Sequence, residues 1–244
     1  MTDDPFEGLR SGLDDPARRR RLLQLLTSGA LLLAPAYEAN AFFWGSGNKK
    51  LEDDKSIFTL DGDVRVNGTR ADKDSRIRGG DVVSTGPDSE VVFAVGGDAF
   101  ILRANSELEI AGSGFFVDSL RMLTGRLLSV FARRETGRRL SMTASTATIG
   151  IRGTAAYLES EPDLTYLCTC YGQVELLANA DPDDRQLITT TNHDAPRYIS
   201  SLPNRGSRIR QAPVLRHTNT ELRLLENLVG RDVPRRLRKA YEKY

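Results

Sequence analysis

The segment Tyr166-Leu167-Cys168-Thr169-Cys170-Tyr171 holds both cysteines of this 244-residue chain as a C-x-C pair. On a strand, residues i and i+2 share a face, so both thiols would point the same way. Extended spacing puts their α-carbons about 6.6 Å apart, near the upper limit for a disulfide. A bridge between them would be strained and reducible unless the strand bulges. The chain has two histidines, His193 and His217. With the cysteines they make a Cys2His2 set, the composition that structural zinc prefers. Their separations of 23 and 47 residues from Cys170 match no zinc template, so only the fold could assemble them. Three readings stand: a structural disulfide, a buried pair of reduced thiols, or a metal or redox site. A structural metal is the one cofactor these residues suggest.

Two further motifs have a chemical and a structural reading. His193 beside Asp194 could be an oriented base, but the sequence places no nucleophile for it. The plainer reading is a capped turn ahead of Pro196. In Arg152-Gly153-Thr154, the arginine could grip a carboxylate or phosphate. Alternatively Gly153 permits a strand corner and Arg152 pairs with a neighbouring acid, which is the better reading. Composition also leans away from catalysis. Two histidines leave little for triad chemistry, and two cysteines exclude a disulfide scaffold. With 34 basic and 33 acidic residues the net charge is +1, unlike a protein that coats nucleic acid. A hydrophobic content of 39% with mean hydropathy −0.37 excludes a polytopic membrane protein. The expectation is a protein that is not an enzyme.

The elements that must position these residues read as strands. Ser106-Glu107-Leu108-Glu109-Ile110 alternates, with carboxylates on one face and aliphatics on the other. Thr146 to Ile151 and Gln173-Val174-Glu175-Leu176 alternate too. Continuous runs at Val91 to Val95 and Phe100-Ile101-Leu102 suit strands buried on both faces. Gly96-Gly97 between them reads as a hairpin or tight corner. Before residue 218 only Val117 to Thr124 offers a helical alternative. Residues 57–178 are therefore expected to be an all-β sandwich, barrel or stacked solenoid. Residues 179–217 read as a partly irregular extension, with a surface turn at Ala180 to Asp184.

The two ends differ from the body. Arg18-Arg19-Arg20-Arg21 precedes a short apolar run that ends near Ala39-Asn40-Ala41. A charged region, a short apolar run and A-x-A describe an export signal over residues 1–41, cleaved after Ala41. The arginines suit a twin-arginine signal or a Sec signal, and either places the mature chain in the periplasm or outside the cell. Residues 42–56 read as a linker, and residues 218–244 as a basic helical tail. Residues 205–244 hold eleven Lys or Arg and four acids, a local charge of +7. Thr218-Asn219-Thr220-Glu221 reads as a capping box, and Gly230 as a helix stop. Leu222, Leu225 and Leu228 or Val229 form an apolar stripe expected to pack on the β body. A second short helix is expected from Val233, with Leu237 and Tyr241 on one face. Arg235, Arg236, Arg238 and Lys239 read as a solvated face or as an arm. Such an arm would touch anionic headgroups, cell-wall polymer or a partner protein.

Several of these segments, taken in order, resemble the FecR domain family. Gly79-Gly80-Asp81-Val82-Val83-Ser84-Thr85 is similar to its G-D-x-hydrophobic-x-T turn. Gly97-Asp98, Ile101-Leu102 and Asn105-Ser106-Glu107-Leu108 resemble the next strand pair. Gly125-Arg126-Leu127-Leu128, Ile151-Arg152-Gly153-Thr154-Ala155 and Tyr171-Gly172-Gln173-Val174-Glu175-Leu176 resemble its later strands. The resemblance covers about residues 57–178. It implies a periplasmic module of short stacked strands, solenoid- or sandwich-like. It further implies a non-enzymatic interaction or envelope-sensing role, with an envelope protein or cell-wall partner. Founding members of the family carry an anti-sigma domain before a membrane helix. Only about 17 residues precede the apolar run here, so anti-sigma activity is not carried over. Two alternatives remain: a metal- or redox-dependent periplasmic protein, and a transducer that keeps the N-terminal run as a membrane anchor.

Overall fold

Alternating and doubly apolar runs of this kind build layers, and the computed structural model shows which faces they cover. It describes residues 50–52, 55–134, 140–204, 206–234 and 237. The export signal with Ala41, most of the linker, and Arg235, Arg236, Arg238 and Lys239 lie outside the described residues. The first strands are β1 (Ile57–Asp61), β2 (Val64–Val66), β3 (Thr69–Arg70), β4 (Val82–Thr85), β5 (Glu90–Val95), β6 (Asp98–Leu102) and β7 (Ser106–Ser113). There follow β8 (Phe116–Val130), β9 (Leu140–Thr143), β10 (Ala147–Ile151) and β11 (Ala155–Glu161). The last are β12 (Leu164–Ala178), β13 (Asp181–Thr190), β14 (Arg197–Asn204) and β15 (Ser207–Gln211), before helix α1 (Asn219–Leu228).

The pairings make two layers. One runs β1-β5-β6-β8-β11-β12-β14-β15, and every neighbour in it is antiparallel. The other runs β3-β2-β4-β7-β8-β9-β10-β12-β13, with β8 and β9 parallel. Strands β8 and β12 belong to both. Most strands are short, as expected, but these two run 15 residues each. β8 leaves the second layer for the first at Gly125, and β12 returns at Gly172. These glycines have φ +96° and +93°, values that let a strand turn its pleat without a Cβ in the way.

Period-two patterning then separates two apolar clusters. Val91, Phe93 and Val95 face inward, joining Leu108, Ile110, Met122, Ile149 and Val174 between the layers. Val92 and Ala94 face the other way, with Ile101, Leu128, Tyr157, Tyr166, Cys168 and Cys170. That outer face is covered by Leu222, Leu225 and Leu228 of α1, together with Val233 and Leu237. The doubly apolar runs thus have a physical reason, because the first layer is covered on both sides. The expected capping box is present: Thr218 and Glu221 satisfy each other's backbone N–H. Gly230 follows Val229 at φ +72° and ends the helix. Thr218→Ala is expected to cost about 1 kcal/mol in urea unfolding, whereas Thr218→Ser keeps the cap and most of the stability. Equal midpoints for wild type and Thr218→Ala would show that the cap contributes nothing.

The one helical alternative is resolved, because Val117 to Thr124 is strand and pairs with β7 on one side and β9 on the other. One expectation needs correction. Asp181 to Asp184 begins β13 rather than forming a turn; the turn is Asn179-Ala180. Pro182 is tolerated there because it sits near the start of a strand that pairs only with β12. The segment 179–217 contributes β13, β14 and β15 to the layers, and its irregular stretches include 191–196 and 212–217. At the linker's end, the Leu51 backbone N–H donates to Leu228 O, at 2.9 Å.

Candidate metal centre

Cys168 and Cys170 lie on β12, and both point to the outer face beneath the C-terminal segment, fully buried. Both are free thiols. His193 comes from the turn between β13 and β14. The β12–β14 pairing (Leu167 opposite Arg197) folds that turn back over the cysteines. His193 N–H donates to Cys170 O at 3.0 Å, and its left-handed backbone, φ +56°, aims the ring inward. His217 immediately precedes the cap of α1. Its approach is fixed by Tyr166, whose hydroxyl donates to Pro213 O (2.9 Å) and accepts from Leu215 N–H (3.1 Å). Arg216 holds Glu159 at 3.0 Å one residue before the ring.

The structure therefore brings together all four residues of the expected set. One ligand atom from each of Cys168, Cys170, His193 and His217 lies within 4.8 Å of the other three. Cys168 Sγ is 3.6 Å from His193 Nδ1, and His217 Nε2 is 2.9 Å from that nitrogen. Zinc–sulfur and zinc–nitrogen bonds of about 2.3 and 2.0–2.1 Å, arranged tetrahedrally, imply ligand–ligand edges of about 3.3–3.8 Å. The cluster needs only small side-chain shifts to reach them.

The ring nitrogens facing away from the cluster each lie against an oxygen. His217 Nδ1 lies 2.5 Å from Leu215 O, which can only accept, so that nitrogen carries the proton. His193 Nε2 lies 2.6 Å from Asn219 Oδ1 and donates to it. With both outer nitrogens protonated, the inner nitrogens are lone pairs, facing one another at 2.9 Å beside two thiols. Such an arrangement calls for a positive centre between them, either a proton or a metal ion. Tying the far nitrogen to a carbonyl oxygen is also how metal-bound histidines are usually held. Tyr157, which pairs with Cys168 across the strands, stacks on His217 at 4.6 Å and 18°. Sequence reasoning did not single out Tyr157, Asn219 or the Leu215 carbonyl. Nothing in their types or spacing marks them.

The cluster polarises its own members. Hydrogen bonding with Cys170 pulls the Cys168 thiol below its ordinary range, against the opposing effect of burial, and His193 and His217 add to the pull. Burial pushes Cys170 upward. Burial alone would lower His193, but its bonds to Cys168 and Asn219 outweigh that and raise it. Cys168, His193 and Asn219 are arranged as a cysteine–histidine–asparagine relay of the kind that activates a thiol nucleophile. Cys168 is 0% exposed, however, whereas reactive cysteines sit in partly open sites. Two thiolates and a divalent ion sum to zero charge, which suits burial among tyrosines and leucines.

The other motifs are structural. Asp194 Oδ1 accepts from Thr191 N–H at 3.3 Å, so it caps the turn, and the partner of the His193 ring is Asn219. Gly153 makes a strand corner at φ +60°, while Arg152 is exposed. A cleft of about 260 Å³ lined by Lys50, Leu51, Lys55, Phe58 and Lys73 shares no residue with the cluster.

No protein-family model matches the chain, and no curated protein matches it. Two crystal structures of a candidate anti-sigma factor from Parabacteroides distasonis are similar to it, each at 15% identity. Their TM-scores are 0.44 and 0.43, and in each case the match covers 54% of this chain. The chain spans 58% of the length of those structures.

Proposed function

We propose that this chain is a non-enzymatic binding or sensing module of the cell envelope, of the FecR type. Its outer sheet face and C-terminal segment are joined by a zinc-class divalent ion at Cys168, Cys170, His193 and His217. The observation that carries the metal reading is the convergence of ligand atoms from buried Cys168, Cys170 and His217 and half-buried His193, with both outer ring nitrogens already placed against oxygen. Four protein ligands close a tetrahedral shell and leave no position for a substrate, so the ion is structural. The FecR reading rests on the ordered motifs between Gly79 and Leu176. The periplasmic location rests on the arginine-rich, apolar and A-x-A sequence at the N-terminus. The basic tail supplies contact with a membrane surface or an acidic partner.

Elemental analysis and thiol alkylation of the purified protein test the metal. One equivalent of zinc per chain is expected, retained through dialysis and lost in Cys168→Ser. Both thiols should resist iodoacetamide until a chelator is added. Protein that takes up no zinc and whose Cys168 alkylates rapidly at neutral pH would instead support the relay as a nucleophile.

A further inference from the structure

We infer that the metal is a latch controlling whether the C-terminal helical segment stays docked on the outer sheet face, which makes that docking responsive to metal supply. This inference rests on the metal reading above and specifies what the ion regulates. Three of the four ligands belong to the β body: Cys168 and Cys170 on β12, and His193 in the turn that follows β13. The fourth, His217, belongs to the segment that begins α1. An ion at this site is therefore a bond between the body and the helical segment, placed where that segment first reaches the sheet.

Beyond the latch, the segment is held by burial and by polar ties along its length. Leu222, Leu225, Leu228, Val233 and Leu237 pack on Ile101, Leu128 and the tyrosines. Arg103 pairs with Glu221 at 2.5 Å. Buried Glu226 accepts from Tyr171 and is 2.6 Å from Arg231. Arg103–Glu221, Arg216–Glu159 and the Tyr166 hydroxyl on Leu215 also restrain the start of the segment beside His217, and Glu226 restrains its end. A proton between the two imidazoles can join two ring nitrogens, but a divalent ion joins all four ligands. Without the ion, His217 keeps its stacking on Tyr157 and loses its bond to the cysteines. The start of α1 then keeps only its ion pairs and the Tyr166 hydrogen bonds, and loses the one tie that reaches both cysteines. Opening would bare the apolar outer face.

Native-state hydrogen exchange on the full chain, with zinc as the probe, tests this. In chelator, the amides of Leu222 to Leu228 are expected to exchange through a local opening, faster than those of Val91 to Val95. At free zinc 100-fold above its dissociation constant, linkage predicts about 100-fold slower exchange for openings that break the site. His217→Ala leaves three ligands, and zinc bound to that variant should no longer slow the α1 amides. If one equivalent of zinc binds but the α1 amides exchange at the chelator rate, the latch is wrong and the metal site stands. If no zinc binds at all, the metal reading fails first. If zinc slows the α1 amides equally in His217→Ala, the ion acts through the body and the latch is overturned.

Discussion

Removing the ion from the Cys168–Cys170–His193–His217 site is expected to lower the thermal midpoint by about 8–16 °C. The size follows from linkage. A ligand that binds only the folded state, at a free concentration 1,000-fold above its dissociation constant, stabilises by about 4.1 kcal/mol. For a body of this size each kcal/mol moves the midpoint by about 2–4 °C. Residual binding of zinc by the unfolded C-x-C pair would bring the shift toward the lower end. Calorimetry of the zinc-loaded protein, with and without chelator, measures it directly. Cys168→Ser should melt near the chelated wild type and be insensitive to zinc, since serine retains the volume and removes the thiolate. A zinc-loaded protein that melts at the same temperature as its chelated form would reject a structural role for the ion.

The strands that sequence reading found are of two kinds: β5 and β6, apolar after their first residue and buried on both faces, and those in which one face meets the inner core and the other is more open. β7, β10 and the second half of β12 alternate buried and half-buried residues, and that alternation is visible in the chain. Val117 to Thr124 left a helical alternative open because β8 carries register shifts against β7, at Glu107/Leu108 and Ala111/Gly112, which break a strict period of two. β13 was missed for a different reason: it is polar, starts with Asp-Pro-Asp-Asp, and pairs only with β12. Its strand character comes from that partner rather than from its own residues.

The candidate site was half legible. C-x-C spacing on an apolar run placed both thiols on one face, and the structure agrees. The histidine spacings carried no information, because the ligands are brought together by tertiary ties rather than by a local loop. The β12–β14 register returns His193 to the cysteines, and the Tyr166 hydroxyl, bonded to Pro213 and Leu215, delivers His217. Neither tie has a sequence pattern of its own. The capping box, by contrast, is local, and Thr218 and Glu221 announced it correctly. What can be read from a sequence here is what is settled within a few residues.

The second large effect is expected at a strand corner far from the cysteines in the chain. Gly125→Ala should destabilise the fold by about 2–5 kcal/mol, combining a positive-φ penalty of about 1–2 with an overpacking cost of about 1–3 at a tight site. Gly125 has φ +96°, and a Cβ there would fall 2.0 Å from Ser106 Oγ and 2.5 Å from Ser106 Cα. The serine cannot simply swing aside. Its hydroxyl accepts from Arg126 N–H at 2.9 Å, and its own N–H donates to Thr85 Oγ1 at 3.0 Å. Relief must come from the backbone, at the point where β8 crosses between the layers. Gly68→Ala is the control. Gly68 has φ +78° with nothing within 4 Å of the added carbon, so it pays the backbone cost alone. In urea unfolding the difference between the two variants measures the tightness of the corner, set against a total stability of about 5–15 kcal/mol. Equal losses would mean that the corner is loose and that β8 could cross between layers without a glycine. A much larger loss at Gly125 would show that this glycine lets one strand serve both layers, and so supports the outer face where the cysteines lie.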